Sequence, residues 1–425
     1  MVNPGKVIII GGGISGYNCA IELADAGFKV SVIEKDMIGG TCLHSGCIPA
    51  KTFLHKASPG VDITGVNSFS LQNTKKLESF LHHAIKSRGI EVIMDSATVL
   101  PGNKVRLEGR KAEVSYDKLI LATGSEPVMP GFLAGQKDVI TSDDLWSLPE
   151  TPGDFVILGG GDIGIVAASM FVKFGSRVTV VEKKEHILQE MPEGLGSYIM
   201  KSLEKLGVTF ITGKAAEKVE DNILILEGGQ ELLFDKLLVC VGRKCRKIPS
   251  LVPLEMEHGF VKVDSCYRTS DKSIYAIGDC TGKMLLAHKA EYDAHRLARH
   301  LSGEEMPTEP AIPRCVYSTP FLGVVGSEKG RAVTVPFAGN GRANAEDVTS
   351  GFVKIFVDGG RIVGAQALGP RAEDVFSSLV IIVQAGLTCT QVANMMLPHP
   401  SYSEIIKDAA RLALEERPNG QDIHP

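Results

Sequence analysis

The sequence lacks any apolar run long enough to cross a membrane. The longest runs, such as Leu379–Val383, are far shorter than the roughly 20 consecutive apolar residues that a transmembrane helix needs. A recognisable secretory signal is lacking too. A glycine-rich strand-turn pattern begins by Val7 and leaves no room for a basic segment followed by an apolar core. These absences predict no membrane partner and a cytoplasmic location.

The chain also lacks an excess of positive charge. Its net charge is −5 for 425 residues, which argues against a nucleic-acid partner. The nine cysteines are odd in number and scattered. They therefore do not form the disulfide framework of a small secreted protein, and a reducing compartment is favoured. In such a compartment a persistent cysteine pair is more often catalytic than structural. The length predicts two to four domains, since a domain usually has roughly 100–200 residues.

One sequence unit occurs twice, 148 positions apart, as VIIIGGGISGYNCAIELADAGFKVSVIEK (7–35) and FVILGGGDIGIVAASMFVKFGSRVTVVEK (155–183). Each copy has an apolar strand, a Gly-x-Gly-x-x-Gly fingerprint, a helical pattern and a β-branched strand that ends in Glu. The fingerprint glycines are Gly11, Gly13 and Gly16 in the first copy, and Gly159, Gly161 and Gly164 in the second. The closing Glu34 and Glu182 each stand 23 positions after the first glycine.

This pattern is typical of a dinucleotide-binding unit. The first glycine permits a tight turn, the second lets the backbone approach a pyrophosphate, and the third lets helix pack on strand. The pyrophosphate lies at the helix N-terminus and the acidic residue binds ribose hydroxyls. Two units predict two dinucleotides, as in a flavoprotein that also binds a nicotinamide. Asp279, in the strand-turn pattern SIYAIGDCTG (273–282), is well placed for the flavin ribityl or pyrophosphate region.

Two cysteines, Cys42 and Cys47, stand five positions apart in GGTCLHSGCIPAK (39–51), just after the first unit. Their spacing across a helix start is compatible with the Cα separation that a disulfide tolerates. Zinc would need further ligands, and only His44 is near, so we predict no metal site. A redox-active disulfide is favoured over a metal pair or an inert buried pair. Cys240 and Cys245 repeat the spacing, but we interpret Cys240 as a small strand residue and Cys245 as a loop residue.

Nearly end to end, the chain resembles the pyridine nucleotide–disulfide oxidoreductases, and within them the dihydrolipoamide dehydrogenases. The motifs that carry the resemblance include GGTCLHSGCIPAK, LILATGSEP (119–127), AIGDC (276–280), LLAHKAEYDA (285–294), IVGAQALGPRAED (362–374) and HPSYSE (399–404). The resemblance implies an α/β fold with two Rossmann-like dinucleotide-binding domains and a C-terminal α+β dimerisation domain. The implied boundaries are 1–145 with 266–308 for FAD, 146–265 for NAD, and 309–425 for the homodimer interface.

The resemblance also implies roles for the active-site residues. Cys47 is the cysteine that exchanges electrons with the flavin, and Cys42 is the interchange thiol that attacks a substrate disulfide. Because a free thiol is largely protonated at neutral pH, a base is needed, and His399 held by Glu404 is the candidate. In this family that motif reaches the active site of the other subunit. Lys51, one helical turn after Cys47, is placed beside the flavin ring.

Two sets of cofactor contacts follow. For FAD they are Gly11, Gly13, Gly16, Glu34, Lys35, Gly40, Thr41, Lys51, Ala97, Thr123, Gly124, Asp279 and Ala287. For the nicotinamide dinucleotide they are Gly159, Gly161, Asp162, Ile163, Gly164, Glu182 and Gly242. Glu182 favours NAD over NADP, because its carboxylate would bind the ribose hydroxyls and repel a 2′-phosphate.

Two positions depart from the family pattern. Relatives typically carry Glu where this chain has Val166, and commonly an aromatic residue where it has Asp162. The stretch between Lys51 and Ile90 is also short, with a turn-rich piece at 57–65 and a predicted helix at 74–89. The favoured function is oxidation of a dihydrolipoyl group, free or on a lipoylated carrier protein, with electrons passing to NAD. The alternatives are an NAD(P)H-dependent reductase of another disulfide, and a non-catalytic flavoprotein partner or redox sensor.

Overall fold

The computed structural model describes residues 5–247 and 249–415. Its strands, in chain order, are β1 Lys6–Ile10, β2 Lys29–Glu34, β3 Glu91–Met94, β4 Ala97–Leu100, β5 Lys104–Leu107, β6 Ala112–Ser115, β7 Lys118–Leu121, β8 Ser125–Pro127, β9 Val139–Thr141, β10 Asp154–Leu158, β11 Arg177–Glu182, β12 Thr209–Thr212, β13 Ala216–Glu220, β14 Ile223–Leu226, β15 Glu231–Leu233, β16 Lys236–Val239, β17 Arg243–Cys245, β18 Met256–Glu257, β19 Phe260–Val261, β20 Ile274–Ala276, β21 Arg314–Val316, β22 Phe321–Gly326, β23 Arg331–Pro336, β24 Phe352–Asp358 and β25 Arg361–Gly369. Its helices are α1 Ile14–Asp25, α2 Gly40–His44, α3 Cys47–Lys56, α4 Ile63–Ser87, α5 Asp162–Phe174, α6 Leu195–Glu204, α7 Ala287–Leu301, α8 Gly341–Ala345, α9 Ala372–Gln384, α10 Cys389–Ala393 and α11 Glu404–Leu414.

The chain divides into two compact units. The first contains the described residues up to Gly159 together with Lys173–Arg177 and Ala215–Pro307. The second contains Gly160–Val172, Val178–Lys214 and the described residues from Thr308 onward. The three-domain boundaries expected from the sequence stay a prediction.

A five-stranded parallel sheet in the order β20-β7-β1-β2-β3 organises the first unit. Strand β1 is a nearly continuous apolar run whose Val7, Ile8 and Ile9 are fully buried. A strand of a parallel sheet is covered on both faces, so it needs apolar side chains on both. Helices α1 and α7 pack beside one another on this unit, and their apolar faces share a core with β1 and β2. The sheet thereby directs the carboxyl ends of β1 and β2 toward the fingerprint turn.

The second unit contains a five-stranded antiparallel sheet in the order β21-β22-β25-β24-β23. Helix α9 packs on β22 and β25, and α11 packs on β23 and β24. Their shared core includes Phe376, Leu379 and Ile405. This is the α+β arrangement expected for the C-terminal region.

Two local expectations were wrong. The helix predicted at 74–89 begins at Ile63, because Asp62 caps it by accepting hydrogen bonds from Thr64 N at 3.0 Å and Gly65 N at 3.3 Å. Glycine inside the turn-like sequence therefore did not prevent helix formation once a cap was present. Cys245 was expected in a loop, but it ends strand β17 and is buried, because β17 pairs antiparallel with β8.

Candidate active site

The predicted redox cysteines lie on two consecutive short helices in the first unit. Cys42 is in α2, and Cys47 is the first residue of α3. Both are half-buried free thiols. Gly46, between the helices, lies so close to Thr41 that a Cβ there would come within 2.8 Å of the Thr41 carbonyl oxygen. The tight turn at this glycine therefore lets the two cysteines meet.

The two thiols are electrostatically unequal. A hydrogen bond from the Cys42 thiol, with help from the backbone N–H at the start of α3 and from Lys51, lowers the pKa of Cys47 to about 7. The same hydrogen bond and burial raise the pKa of Cys42 far above its ordinary range. A single negative charge on the reduced pair therefore resides on Cys47, with Cys42 as its proton donor. Lys51 stands one turn along α3 from Cys47, as the sequence predicted.

Trp146 supports the turn between the cysteines and was missed by the sequence analysis. Its indole Nε1–H donates to the Ser45 carbonyl oxygen at 2.7 Å. Its ring packs edge-on against Phe53 of α3, with centroids 5.1 Å apart. It lies 101 positions from Ser45, so no local pattern could have indicated the contact.

The first fingerprint forms a close-packed cradle. A Cβ at Gly16 would come within 1.9 Å of the Gly11 carbonyl oxygen, and one at Gly40 would come within 2.8 Å of Gly13 Cα. By contrast, the nearest atom to a Cβ at Gly13 would be 3.9 Å away. Glu34 closes the cradle by accepting a 2.6 Å hydrogen bond from Gly12 N. Gly16 and Gly40 are thus closely packed against the backbone, whereas Gly13 leaves space through which a pyrophosphate could approach.

The other residues predicted to hold FAD belong to the first unit. Thr123 Oγ1 is buried and has no hydrogen-bond partner among residues 5–247 and 249–415. A buried hydroxyl without a hydrogen-bond partner costs free energy unless a bound ligand supplies that partner. The Thr123 hydroxyl therefore fits the lining of a cofactor pocket. The remaining predicted positions are Thr41 in α2, Lys35 after β2, Ala97 at the start of β4, Gly124 after β7, Asp279 after β20 and Ala287 at the start of α7.

Asp279 belongs to a chain of hydrogen bonds that sequence reasoning also missed. Ser125 Oγ donates to Asp279 Oδ2 at 2.6 Å, and Arg243 Nε donates to Ser125 Oγ at 2.8 Å. Burial raises the pKa of Asp279, while the Ser125 hydrogen bond and the Arg243 charge oppose that shift. Arg243 and Ser125 thereby orient the carboxylate predicted to meet the flavin.

The second fingerprint repeats the backbone arrangement of the first. Glu182 Oε2 accepts from Gly160 N at 2.7 Å, and its Oε1 accepts from Lys184 N at 2.9 Å. A Cβ at Gly161 would meet nothing within 4 Å, so this glycine is open to a ligand. Asp162, Ile163 and Gly164 form the first turn of α5 in the same unit. Gly159 and Gly242 lie in the first unit, and a common site with the others stays a prediction.

His399 and Glu404 meet in the second unit, as the sequence predicted. Glu404 Oε1 lies 3.0 Å from His399 Nδ1, and Glu404 Oε2 accepts from Ser401 N at 2.9 Å. The Ser401 hydrogen bond, followed by the one with His399, lowers the pKa of Glu404. An ionised carboxylate only accepts, so Nδ1 carries the proton and Nε2 is left for proton exchange. The His399 side chain is 79% exposed.

Two sequence families match this chain. Residues 5–294 match the family described as pyridine nucleotide-disulphide oxidoreductase, and residues 312–410 match the dimerisation domain of the same name. Together with the fold, these matches define a flavoprotein disulfide oxidoreductase. The chain belongs to the pyridine nucleotide-disulphide oxidoreductase family, is an enzyme and uses FAD and NAD(H). The predicted fold class, with its dimerisation domain, is confirmed.

Relatives in this family match this chain from end to end. The dihydrolipoyl dehydrogenase of Geobacillus stearothermophilus is 32% identical over 99% of this chain and 97% of its own. That of Bacillus subtilis is 33% identical over the whole of both chains. The HOCl-induced flavoprotein disulfide reductase RclA of Escherichia coli superposes with a TM-score of 0.89, at 29% identity, over 96% of this chain and 99% of its own. The predicted resemblance to dihydrolipoamide dehydrogenases is confirmed.

Membrane-spanning helices and metal-binding clusters are both absent from the described residues. No helix within residues 5–247 and 249–415 is long and apolar enough to span a membrane. In the same part of the chain, no three His, Cys, Asp or Glu side chains are arranged to hold a metal ion.

Proposed function

We propose that this enzyme oxidises a dihydrolipoyl dithiol, with electrons passing through the Cys42–Cys47 disulfide and FAD to NAD. The observation that carries the proposal is the contact of Cys42 with Cys47 and the unequal pKa of the two thiols. Such inequality suits a pair in which one sulfur keeps the charge and the other exchanges with substrate. The likeness to dihydrolipoyl dehydrogenases over the whole chain supports the choice of dithiol.

The exchange balances as two successive thiol–disulfide steps. A substrate thiolate attacks Cys42, so that a Cys42–substrate bond forms, the Cys42–Cys47 bond breaks and Cys47 leaves as a thiolate. The second substrate thiolate then attacks the sulfur bound to Cys42. The lipoyl disulfide closes, and Cys42 leaves and takes a proton. FAD, when bound, supplies the two-electron chemistry that returns the cysteine pair to a disulfide and reduces NAD.

A base is needed because both substrate thiols start protonated. His399 suits that task, since Glu404 fixes the proton on Nδ1 and leaves Nε2 to take up and return the proton. In our proposal His399 acts on the cysteine pair of the second subunit of a homodimer, which the dimerisation domain supports. The carrier of the lipoyl group is either free lipoamide or a lipoylated protein.

The test is to mix FAD-loaded protein anaerobically with dihydrolipoamide, then add NAD, and record the flavin spectrum and NADH formation. We expect flavin reduction followed by NADH. Cys42→Ser should abolish dithiol-driven reduction but leave reduction by NADH. His399→Gln should lower turnover by about 10²–10⁴-fold, because positioned acid–base catalysis contributes that much. Failure of dihydrolipoamide to reduce the flavin of the unmodified enzyme would refute the proposal.

A second candidate is an NAD(P)H-dependent reductase of another disulfide. It is favoured by the likeness to RclA, a flavoprotein disulfide reductase, at a TM-score of 0.89. Rapid reduction by NADH, combined with an inert response to dihydrolipoamide and turnover of a different disulfide, would support it. The family assignment supports an enzyme over a non-catalytic flavoprotein partner.

A further inference from the structure

The helix of the second fingerprint begins with a charge that the first helix lacks. Helix α5 begins with Asp162, while α1 begins with Ile14 at the equivalent position and has no acidic residue in its first turn. An acidic residue stabilises a free helix N-terminus, but it repels a pyrophosphate that binds at the same place. Asp162 therefore needs compensation if α5 is to receive a dinucleotide.

A nearby arginine is placed to compensate. Arg314 of β21 lies with its Nη2 3.7 Å from Asp162 Oδ2. Burial raises the pKa of Asp162, and Arg314 opposes that rise. A second contact joins the same two regions, because Thr319 N donates to Ser169 Oγ of α5 at 3.3 Å. The position of β21 on α5 therefore does not depend on the charged pair alone.

Glu190 holds the Arg314 guanidinium through two hydrogen bonds, and a ligand can replace one of them. Its Nη1 donates to the Glu190 carbonyl oxygen at 3.1 Å, and its Nη2 donates to Glu190 Oε2 at 2.8 Å. The Arg314 side chain is 22% exposed, whereas that of Glu190 is 80% exposed. An ion pair to so exposed a carboxylate contributes little, so a phosphate oxygen can replace it. Arg314 Nε is buried and has no hydrogen-bond partner in the described part of the chain.

We propose that Arg314 is a dinucleotide-binding residue that neutralises Asp162 and exchanges the Glu190 carboxylate for the pyrophosphate of NAD(H). A guanidinium suits both tasks, because it is always charged and its fork of N–H groups matches phosphate oxygens. The Asp162 carboxylate opposes binding of the pyrophosphate, and the charge of Arg314 offsets that repulsion. This inference rests on the nicotinamide half of the proposed function and not on the dihydrolipoyl substrate.

The experiment measures binding of NAD and of ADP-ribose to the FAD-loaded enzyme by calorimetry. ADP-ribose keeps the pyrophosphate and lacks the nicotinamide, so it isolates the predicted contact. Arg314→Met should weaken both ligands about tenfold, the order expected when a charge-assisted pair is lost. Asp162→Asn should change the affinity little while Arg314 is present, but should restore most of the lost affinity in the Arg314→Met background, because the two residues act on one another.

Three controls keep the test decisive. Arg314→Lys keeps the charge and should lose only part of the affinity, which separates binding from a folding defect. Arg177→Met is the matched control. Arg177 begins β11, at the end opposite to Glu182, and its Nε donates to Asp154 Oδ1 at 2.7 Å. This change should leave the affinity for NAD and ADP-ribose unchanged. Flavin content and melting temperature are measured for every variant.

Unchanged affinity in Arg314→Met, or strictly additive effects in the double variant, would overturn the inference. So would failure of the unmodified enzyme to bind ADP-ribose. Failure of dihydrolipoamide oxidation alone would refute the proposed substrate and leave this result intact.

Discussion

The two fingerprints of this chain share a backbone and differ in charge. In both, the carboxylate at the end of the second strand accepts from the N–H group after the first glycine, at 2.6 Å for Glu34 and 2.7 Å for Glu182. In the first copy the helix begins with Ile14, and Gly40, two residues before Cys42, packs against Gly13. In the second copy the helix begins with Asp162, which is paired with Arg314. The comparison teaches that the fingerprint glycines set the cradle, while a residue between those glycines, together with its distant partner, sets the charge that a ligand meets.

The largest expected effect comes from adding a side chain at Gly16, which is closely packed in the first copy, compared with Gly161, which is open in the second. Gly16→Ala would place a Cβ within 1.9 Å of the Gly11 carbonyl oxygen, so we expect loss of nearly all bound flavin. Gly161→Ala meets nothing within 4 Å and should keep its flavin while binding NAD more weakly. Flavin absorbance of the purified variants and NAD titration measure both. Full flavin content in Gly16→Ala would break the comparison.

The next effect is a pH dependence confined to the first copy. The pKa of Cys47 in the reduced pair is lowered to about 7, so its thiolate should increase as pH rises through about 7 and be lost below it. The thiolate–flavin charge-transfer absorbance of the reduced enzyme, recorded from pH 5.5 to 8.5, should rise accordingly. Cys47→Ser should lack the band, whereas Cys42→Ser should retain it. A band that stays constant over this range would contradict the assignment of the charge to Cys47.

A third and smaller effect concerns the two closing carboxylates. Glu182→Gln removes the charge that repels a 2′-phosphate, so the ratio of kcat/KM for NAD over NADP should fall about tenfold. Glu34→Gln is the matched change in the first copy and should lower flavin content without altering that ratio. Steady-state kinetics with both nucleotides provide the measurement. An unaltered ratio in Glu182→Gln would remove this residue from nucleotide selection.

The smallest effect concerns Trp146, which supports the turn between Cys42 and Cys47. Trp146→Phe keeps a ring against Phe53 and removes the hydrogen bond to the Ser45 carbonyl oxygen. The free energy of unfolding should fall by about 1 kcal/mol, the usual net value of one hydrogen bond. Denaturant unfolding measures this change. Stability equal to that of the unmodified enzyme would show that the indole N–H does not hold the turn.

Local sequence patterns carry most of the predictions about the candidate site. The fingerprints, the Cys42–Cys47 pair with Lys51, and the His399–Glu404 pair depend on short spacings along strands, turns and helices. The sequence pattern predicts the start of α4 eleven residues too late, because the turn-like composition of 57–65 obscures the cap at Asp62. The Cys240–Cys245 pair has the same spacing but different electrostatics: burial raises the pKa of both of its thiols, whereas the pKa of Cys47 is lowered.

By itself, the sequence determined the family and the general chemistry, and it predicted the two dinucleotide-binding units and the redox cysteines, because each depends on residues close together in the chain. Only the tertiary structure decided which distant residues orient that chemistry. Trp146 meets Ser45 across 101 positions, Arg243 meets Ser125 across 118, and Ser125 meets Asp279 across 154. The pairing of Arg314 with Asp162 is of the same kind. Such contacts leave no local periodicity, because they arise only when strands and helices from separate parts of the chain pack together.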